Sequence, residues 1–419
     1  MSDDVVRIDG QRLWDSLMEL ARIGAYVDER TGLTGVNRQT LTDSEAEGRR
    51  LVVQWFRDAG LAVRFDRIGN VYARREGSDP GAAPVLMGSH IDSVATAGAF
   101  DGCLGVLGGL EVLRTFDDLG IVTTRPVEVA FFTEEEGARF GVDMLGSAVA
   151  VGRIALADAL ALTDRAGVAL GDELVRHGFD GPEPERVAPP HAYVECHIEQ
   201  GPVLAAEGLQ VGVVTGVQGI SWQEVTIHGR AAHAGTTPTE LRVDAGLAAS
   251  HVVVRLREMA ESGEFGALRA TVGEMRFAPG LTNIVPTRAV FTVDLRNPDD
   301  DAMARAEDAL DAYLHELEER WPGLAISVRR MARTRHVPFD PEVQKAVATA
   351  ADDLELSHRS LLSGAGHDAQ ELASVCPTAM VFVPGLYDGI SHNPREYSTP
   401  EACADGINVL LQAAVELAN

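Results

Sequence analysis

The sequence predicts an α/β protein. A mostly parallel sheet is covered by helices, and a smaller ferredoxin-like α+β domain is inserted into it. Three observations carry this. Four short apolar runs each lead into a polar, glycine-rich loop; helical periodicity separates them; and residues 213–330 change to alternating, half-exposed strands.

The first elements are helical. Leu13, Leu17, Leu20 and Ala21 recur at helical spacing and predict a helix over 11–28. Thr42-x-x-Glu45 fits a capping box, opening a helix through Leu51, Val52, Trp55, Phe56 and Ala59, with Gly60 as its stop. Val85-Leu86-Met87 then leads into Gly88-Ser89-His90-Ile91-Asp92, and 127–132 into Thr133-Glu134-Glu135-Glu136-Gly137. Residues 192–196 lead to His197-Ile198-Glu199-Gln200-Gly201, and 379–383 through Pro384-Gly385 toward His392. Such continuous apolar runs suit strands buried on both faces, as in parallel sheets. Val106, Leu110 and Leu113 mark a helix between two of them. In that architecture, sites form at the carboxyl ends of strands.

Within 213–330, residues 223–228 alternate as a half-exposed strand. A helix over 243–259 follows, then strands near 268–277 and 289–296, a charged helix over 300–319 and a last strand over 324–329. Strand–helix–strand–strand–helix–strand is the ferredoxin-like order. The expected division is 1–212 with 331–419 for the main domain, and 213–330 for the insert.

Composition narrows the chemistry. The 419 residues include 63 acidic and 36 basic ones, a net charge of −27, which argues against a nucleic acid or anionic membrane partner. The only lysine is Lys345, so no G-K-[ST] phosphate loop exists, and Schiff-base chemistry would depend on a residue in an amphipathic helical stretch. No G-x-S-x-G occurs, which disfavours a serine hydrolase. Cys103, Cys196, Cys376 and Cys403 form no C-x-x-C and read as buried small hydrophobes in a reducing compartment. The acidic start, Met1-Ser2-Asp3-Asp4, shows no signal-peptide pattern, and no run of 18 apolar residues exists, so a cytoplasmic location is expected.

Chemistry-bearing residues cluster after the apolar runs. His90-x-Asp92 puts two side chains on one side of an extended segment, where the carboxylate can orient a metal-bound imidazole. Asp101 stands at the bend Phe100-Asp101-Gly102, the run Glu134-Glu135-Glu136 repels itself unless cations intervene, and His197 and His392 both follow strand-like runs. Each has an ordinary explanation alone, as a turn, a solvated loop or a packed histidine. Together they require five coincidences at strand ends. Mixed histidine and carboxylate donors suit Zn²⁺, Mn²⁺ or a similar ion, and three histidines with two carboxylates suit two ions sharing a carboxylate.

Over essentially the whole chain these motifs resemble the M20-type metallopeptidase superfamily. They are Gly88-Ser89-His90-Ile91-Asp92-Ser93, Phe100-Asp101-Gly102, Glu135-Glu136-Gly137-Ala138-Arg139-Phe140, His197-Ile198-Glu199-Gln200-Gly201, His233-Ala234-Gly235-Thr236-Thr237-Pro238, Gly364-Ala365-Gly366-His367-Asp368-Ala369 and Ser391-His392-Asn393-Pro394. Within that superfamily they are similar to its amidase branch: N-carbamoyl-L-amino acid hydrolases, β-ureidopropionases and allantoate amidohydrolases.

The resemblance implies a dinuclear catalytic domain holding two divalent ions per subunit, Zn²⁺ or Mn²⁺, Co²⁺ or Ni²⁺. His90, Asp101 and His197 would bind one ion and Asp101, Glu136 and His392 the other, with Asp101 bridging. Asp92 would orient His90, and Glu135 would be the general base. Glu134 is a third carboxylate where a small or polar residue is expected; the glycine after the pair fixes the register. His233 would stabilise the oxyanion. Gln200, Asn283 and Arg296 would bind the substrate's amide and carboxylate groups, and His367 and Asp368 would belong to a loop lining the pocket. The insert would serve as a lid and make a homodimer. The implied reaction is cleavage of the ureido C–N bond of an N-carbamoyl-L-amino acid, a small ureido or amide substrate with a carboxylate. The alternatives are allantoate or 3-ureidopropionate and, further off, N-acyl amino acids or dipeptides.

Overall fold

The computed structural model describes residues 5–419, so the acidic start at residues 1–4 lies outside it. The chain divides into two compact units. One runs up to Gly216 and resumes at Pro338, and the other is Val217–Val337.

In the larger unit, Thr378–Val383, Ala192–Ile198, Val85–His90 and Val127–Phe132 lie side by side and parallel at the centre of a nine-stranded sheet. These are the four apolar runs, and every residue in them is buried. The flanking strands Val211–Val217, Val71–Arg75 and Ala62–Phe65 pair antiparallel. Alternation decides what each face holds. Ala192, Val194, Cys196 and Ile198 join the core shared with helices Gly10–Leu20, Cys103–Asp118, Pro341–Asp353 and Pro400–Leu417. Tyr193, Glu195 and His197 take the alternate positions. Burying each large aliphatic side chain contributes about 1.5–3 kcal/mol. Because the four strands are parallel, the loops at their carboxyl ends share one edge.

Two helix expectations change in detail. The first helix ends at Leu20, not 28, and a strand at Ala25–Val27 follows Gly24, whose φ of +80° no helix accommodates. At the second helix, Asp43–Asp58, Thr42 caps Glu45 N–H as the capping box requires. Glu45 reaches back to Leu41 N–H (3.0 Å) instead of Thr42, and also holds the fully buried Arg49.

The smaller unit is an antiparallel sheet in the order Arg269–Thr271, Arg288–Asn297, Gly219–His228, Ala325–Thr334, with Met275–Ala278 also on Arg288–Asn297. Helices Ala245–Ser262 and Asp300–Arg320 cover one face. This is the ferredoxin-like order. The strand expected over 268–277 is broken at Gly273, where Thr292 Oγ1 takes the Glu274 N–H. The last strand extends to Thr334 past a bulge at Met331. No helix among the described residues is long and apolar enough to cross a membrane.

Candidate metal centre

The strand ends and the loops after them bring one cluster together in the larger unit. His90 is the last residue of its strand, and His197 the penultimate residue of its own. Asp101 and Gly102 precede the helix Cys103–Asp118, and Glu134, Glu135 and Glu136 follow Val127–Phe132.

Asp101 is the hub. Its Oδ1 lies 3.2 Å from His197 Nε2 and 3.6 Å from His90 Nε2. Its Oδ2 lies 3.6 Å from His392 Nε2, which is 3.3 Å from Glu136 Oε2. One carboxylate thus turns one oxygen to each of two donor sets, His90–Asp101–His197 and Asp101–Glu136–His392. Both buried imidazoles have their tautomers set by carbonyls. His90 Nδ1 is 3.0 Å from the Asp92 carbonyl and His197 Nδ1 2.9 Å from that of Ile198. Each Nδ1 therefore carries the hydrogen in the neutral ring, so each Nε2 turns its lone pair to the cluster, where that of His197 accepts from Gly102 N–H at 3.1 Å. Gly102 is required by proximity: its φ is +65°, and a Cβ there would run into the His90 ring.

The charges are strained. Burial drives Glu135 well above the ordinary carboxylate range, against the pull of His90. Burial also raises Glu136, reinforced by Asp101. Burial would raise Asp101 too, but His197 and His90 outweigh it and hold it well below. The same carboxylates overcome the burial that would otherwise lower His90 and His197, and raise both. Buried His90 Nε2 and Glu136 Oε1 have no hydrogen-bond partner. Orphaned lone pairs among crowded carboxylates fit divalent cations.

Several side chains sit differently from expectation. The Asp92 carboxylate is 3.7 Å from His90 Nδ1, farther than its own backbone carbonyl. It faces the Glu135 and Glu136 N–H groups instead, at 3.4 and 3.3 Å, and so holds the acidic loop. Glu134, at φ +57°, turns away and accepts from Arg139 and Phe140 N–H. Glu135 Oε2, by contrast, lies 3.3 Å from His90 Nε2. His367 is 1% exposed, too enclosed here to line an open pocket; its ring packs on His197 at 4.5 Å and its Nε2 meets Ser363 Oγ. Gln200 Nε2 donates to Asp101 Oδ2 at 2.8 Å.

One group escaped the sequence reading. Glu396 accepts from Phe100 and Asp101 N–H, and Ser391 Oγ links it to Asp101 Oδ2. Nothing in local spacing signals a contact 295 residues apart. Asp368, expected beside His367 in the pocket loop, is buried and accepts from Ser147 Oγ.

In the smaller unit, the exposed His233 accepts from Gly235 and Thr236 N–H at Nδ1, so its neutral ring presents an Nε2–H donor. The Asn283 carbonyl accepts from Ala234 N–H beside it. Arg296 grips Asp294 on the half-exposed sheet face.

Residues 86–416 match the peptidase family M20/M25/M40. The chain belongs to that family. An N-carbamoyl-L-amino-acid amidohydrolase of Rhizobium meliloti is 45% identical over 412 residues, covering 98% of this chain and 97% of the relative. One of Geobacillus stearothermophilus is 40% identical over 428 residues, covering 98% and 99%. The crystal structure of a hydantoinase/carbamoylase family amidase from Burkholderia multivorans superposes with a TM-score of 0.91 at 45% identity, covering 99% of this chain and 98% of the other. The family match spans every residue of the cluster, and the likeness to these relatives covers nearly the whole chain.

Proposed function

We propose that this M20 protein hydrolyses N-carbamoyl-L-amino acids in the cytoplasm, using two divalent cations per chain. The observation that carries this is the Asp101 carboxylate, with one oxygen toward His90 and His197 and the other toward His392 and Glu136. His90, Asp101 and His197 would hold one ion, and Asp101, Glu136 and His392 the other. Zn²⁺, Mn²⁺, Co²⁺ and Ni²⁺ suit these donors.

Cations held by these residues would supply Lewis acidity, lowering the pKa of the attacking water and polarising the ureido carbonyl. Glu135 accepts the water's proton and returns it to the leaving amino nitrogen. Asp92 positions Glu135 through the loop amides. His233 offers its Nε2–H to the oxyanion. R–NH–CO–NH2 plus water gives R–NH2 and carbamic acid, which separates into CO2 and NH3. Arg296 receives the substrate carboxylate in a bidentate fork, exchanging Asp294 for it. Gln200 and Asn283 bind the amide groups.

This assignment calls for a homodimer. His233 and Asn283 lie beyond the Arg288 end of the long strand Arg288–Asn297, and Arg296 lies near its other end. Eight residue steps span roughly 26 Å at ~3.3 Å each. One small substrate cannot reach both within one copy, so the two ends of the insert would serve sites of different copies.

The test is ammonia release from N-carbamoyl-L-amino acids, 3-ureidopropionate, allantoate and an N-acetyl amino acid, with and without chelator. Chelator-sensitive turnover of the carbamoyl amino acids, at the highest kcat/KM of the set, is expected. Full activity after complete metal removal contradicts the proposal.

A further inference from the structure

Arg38 is among the largest fully buried side chains of the protein, at 1% exposure, and it makes no ion pair among the described residues. Burying a guanidinium without a carboxylate costs several kcal/mol unless other acceptors replace water. Here the acceptors come from three separate segments. Nε donates to Ile91 O at 2.8 Å, Nη1 to Leu20 O at 3.1 Å and Ile23 O at 3.0 Å, and Nη2 to Cys103 Sγ at 3.0 Å. The Arg38 backbone is tied in as well. Its N–H donates to Ser93 Oγ, and its carbonyl accepts from Ser93 N–H.

The choice of partners is informative. Leu20 ends the helix Gly10–Leu20, so the guanidinium caps a helix C-terminus, where carbonyls carry partial negative charge. Ile91 stands between His90 and Asp92, and Cys103 is two residues from Asp101. One planar fork therefore anchors the two segments that present His90, Asp92 and Asp101 to a rigid helix end. It also places a permanent positive charge behind a cluster rich in buried carboxylates. Lysine has neither the planar fork nor enough donors to reach the same four acceptors.

We infer that Arg38 is a positioning residue for the metal centre. It holds the His90–Asp92 and Asp101–Cys103 segments in their ion-binding arrangement before any ion arrives. This rests on the reading that His90, Asp101 and His197 bind a cation.

The test uses full-length protein stripped by chelator and titrated with Zn²⁺ by calorimetry. Arg38→Lys keeps the charge and most of the volume, so it preserves the fold while losing the fork. Cys103→Ala removes only the contact toward Asp101. Val347→Ala, a buried residue of the Pro341–Asp353 helix, is the control for general destabilisation. Wild-type protein and Val347→Ala should bind Zn²⁺ equally well. Arg38→Lys should bind at least ~10-fold more weakly, and Cys103→Ala a few-fold more weakly. In turnover assays Arg38→Lys should lower kcat with KM nearly unchanged. Wild-type Zn²⁺ affinity in Arg38→Lys, or a loss no larger than that of Val347→Ala, overturns the inference. Failure of the wild-type protein to bind Zn²⁺ overturns the underlying site reading instead.

Discussion

Gly102→Ala perturbs the centre without removing any candidate ligand. Gly102 has φ +65° and ψ −45°, a conformation L-residues avoid, at a cost of about 1–3 kcal/mol. The added methyl would also meet the His90 ring at three atoms. His90 is fully buried, so ring or backbone must give way, an overpacking cost of about 1–3 kcal/mol more. Gly120 supplies the comparison: its φ is +64°, yet nothing lies within 4 Å of a Cβ there. Gly120→Ala should show the backbone cost alone, about 1 kcal/mol. Gly102→Ala should lose about 3 kcal/mol in denaturant unfolding and bind Zn²⁺ at least ~100-fold more weakly. Equal destabilisation of the two variants, with wild-type Zn²⁺ affinity in Gly102→Ala, would refute the claim that His90 packing dictates glycine at 102.

Other consequences follow from the same geometry. Glu135→Gln should lower kcat by about 10²–10⁴ while metal content stays at the wild-type level, whereas Glu134→Gln should stay within a few-fold, because Glu134 faces Arg139 and Phe140 N–H. His233→Ala should lower kcat by about 10²–10³ with a modest change in KM, and Arg296→Lys should act mainly by raising KM; steady-state kinetics separates the two. All four thiols are buried, and burial pushes Cys376 up to about 11 and Cys403 to about 12. Thiolate at pH 8 is then about 10⁻³ or less at both, so iodoacetamide should label the native protein only as fast as it unfolds. Rapid labelling of the folded protein would contradict that burial.

What the sequence made legible follows from how strands advertise themselves. The four central strands are apolar throughout because both faces are covered, so their ends are sharp, and His90, Glu135, Glu136 and His197 stand at or just past those ends. The edge strands Ala62–Phe65 and His358–Ser363 went unnoticed because they are short and partly exposed, with little apolar contrast. The glycine after the acidic triplet set its register, but that Glu134 faces away was not legible, because it depends on the left-handed turn there. Asp92 was expected beside His90 by strand alternation, but the chain leaves the strand at His90, and alternation no longer holds past it. Glu396 and Arg38 act through contacts made by folding, to which no local pattern points.

The central claim is that Asp101 is shared by two cations. Anomalous diffraction from crystals of the Mn²⁺-loaded protein tests it most directly. The account predicts two peaks per chain, roughly 3.5–4 Å apart, flanking the Asp101 carboxylate, one beside His90 and His197 and the other beside Glu136 and His392. A single peak, or two peaks with Asp101 touching only one, would contradict it.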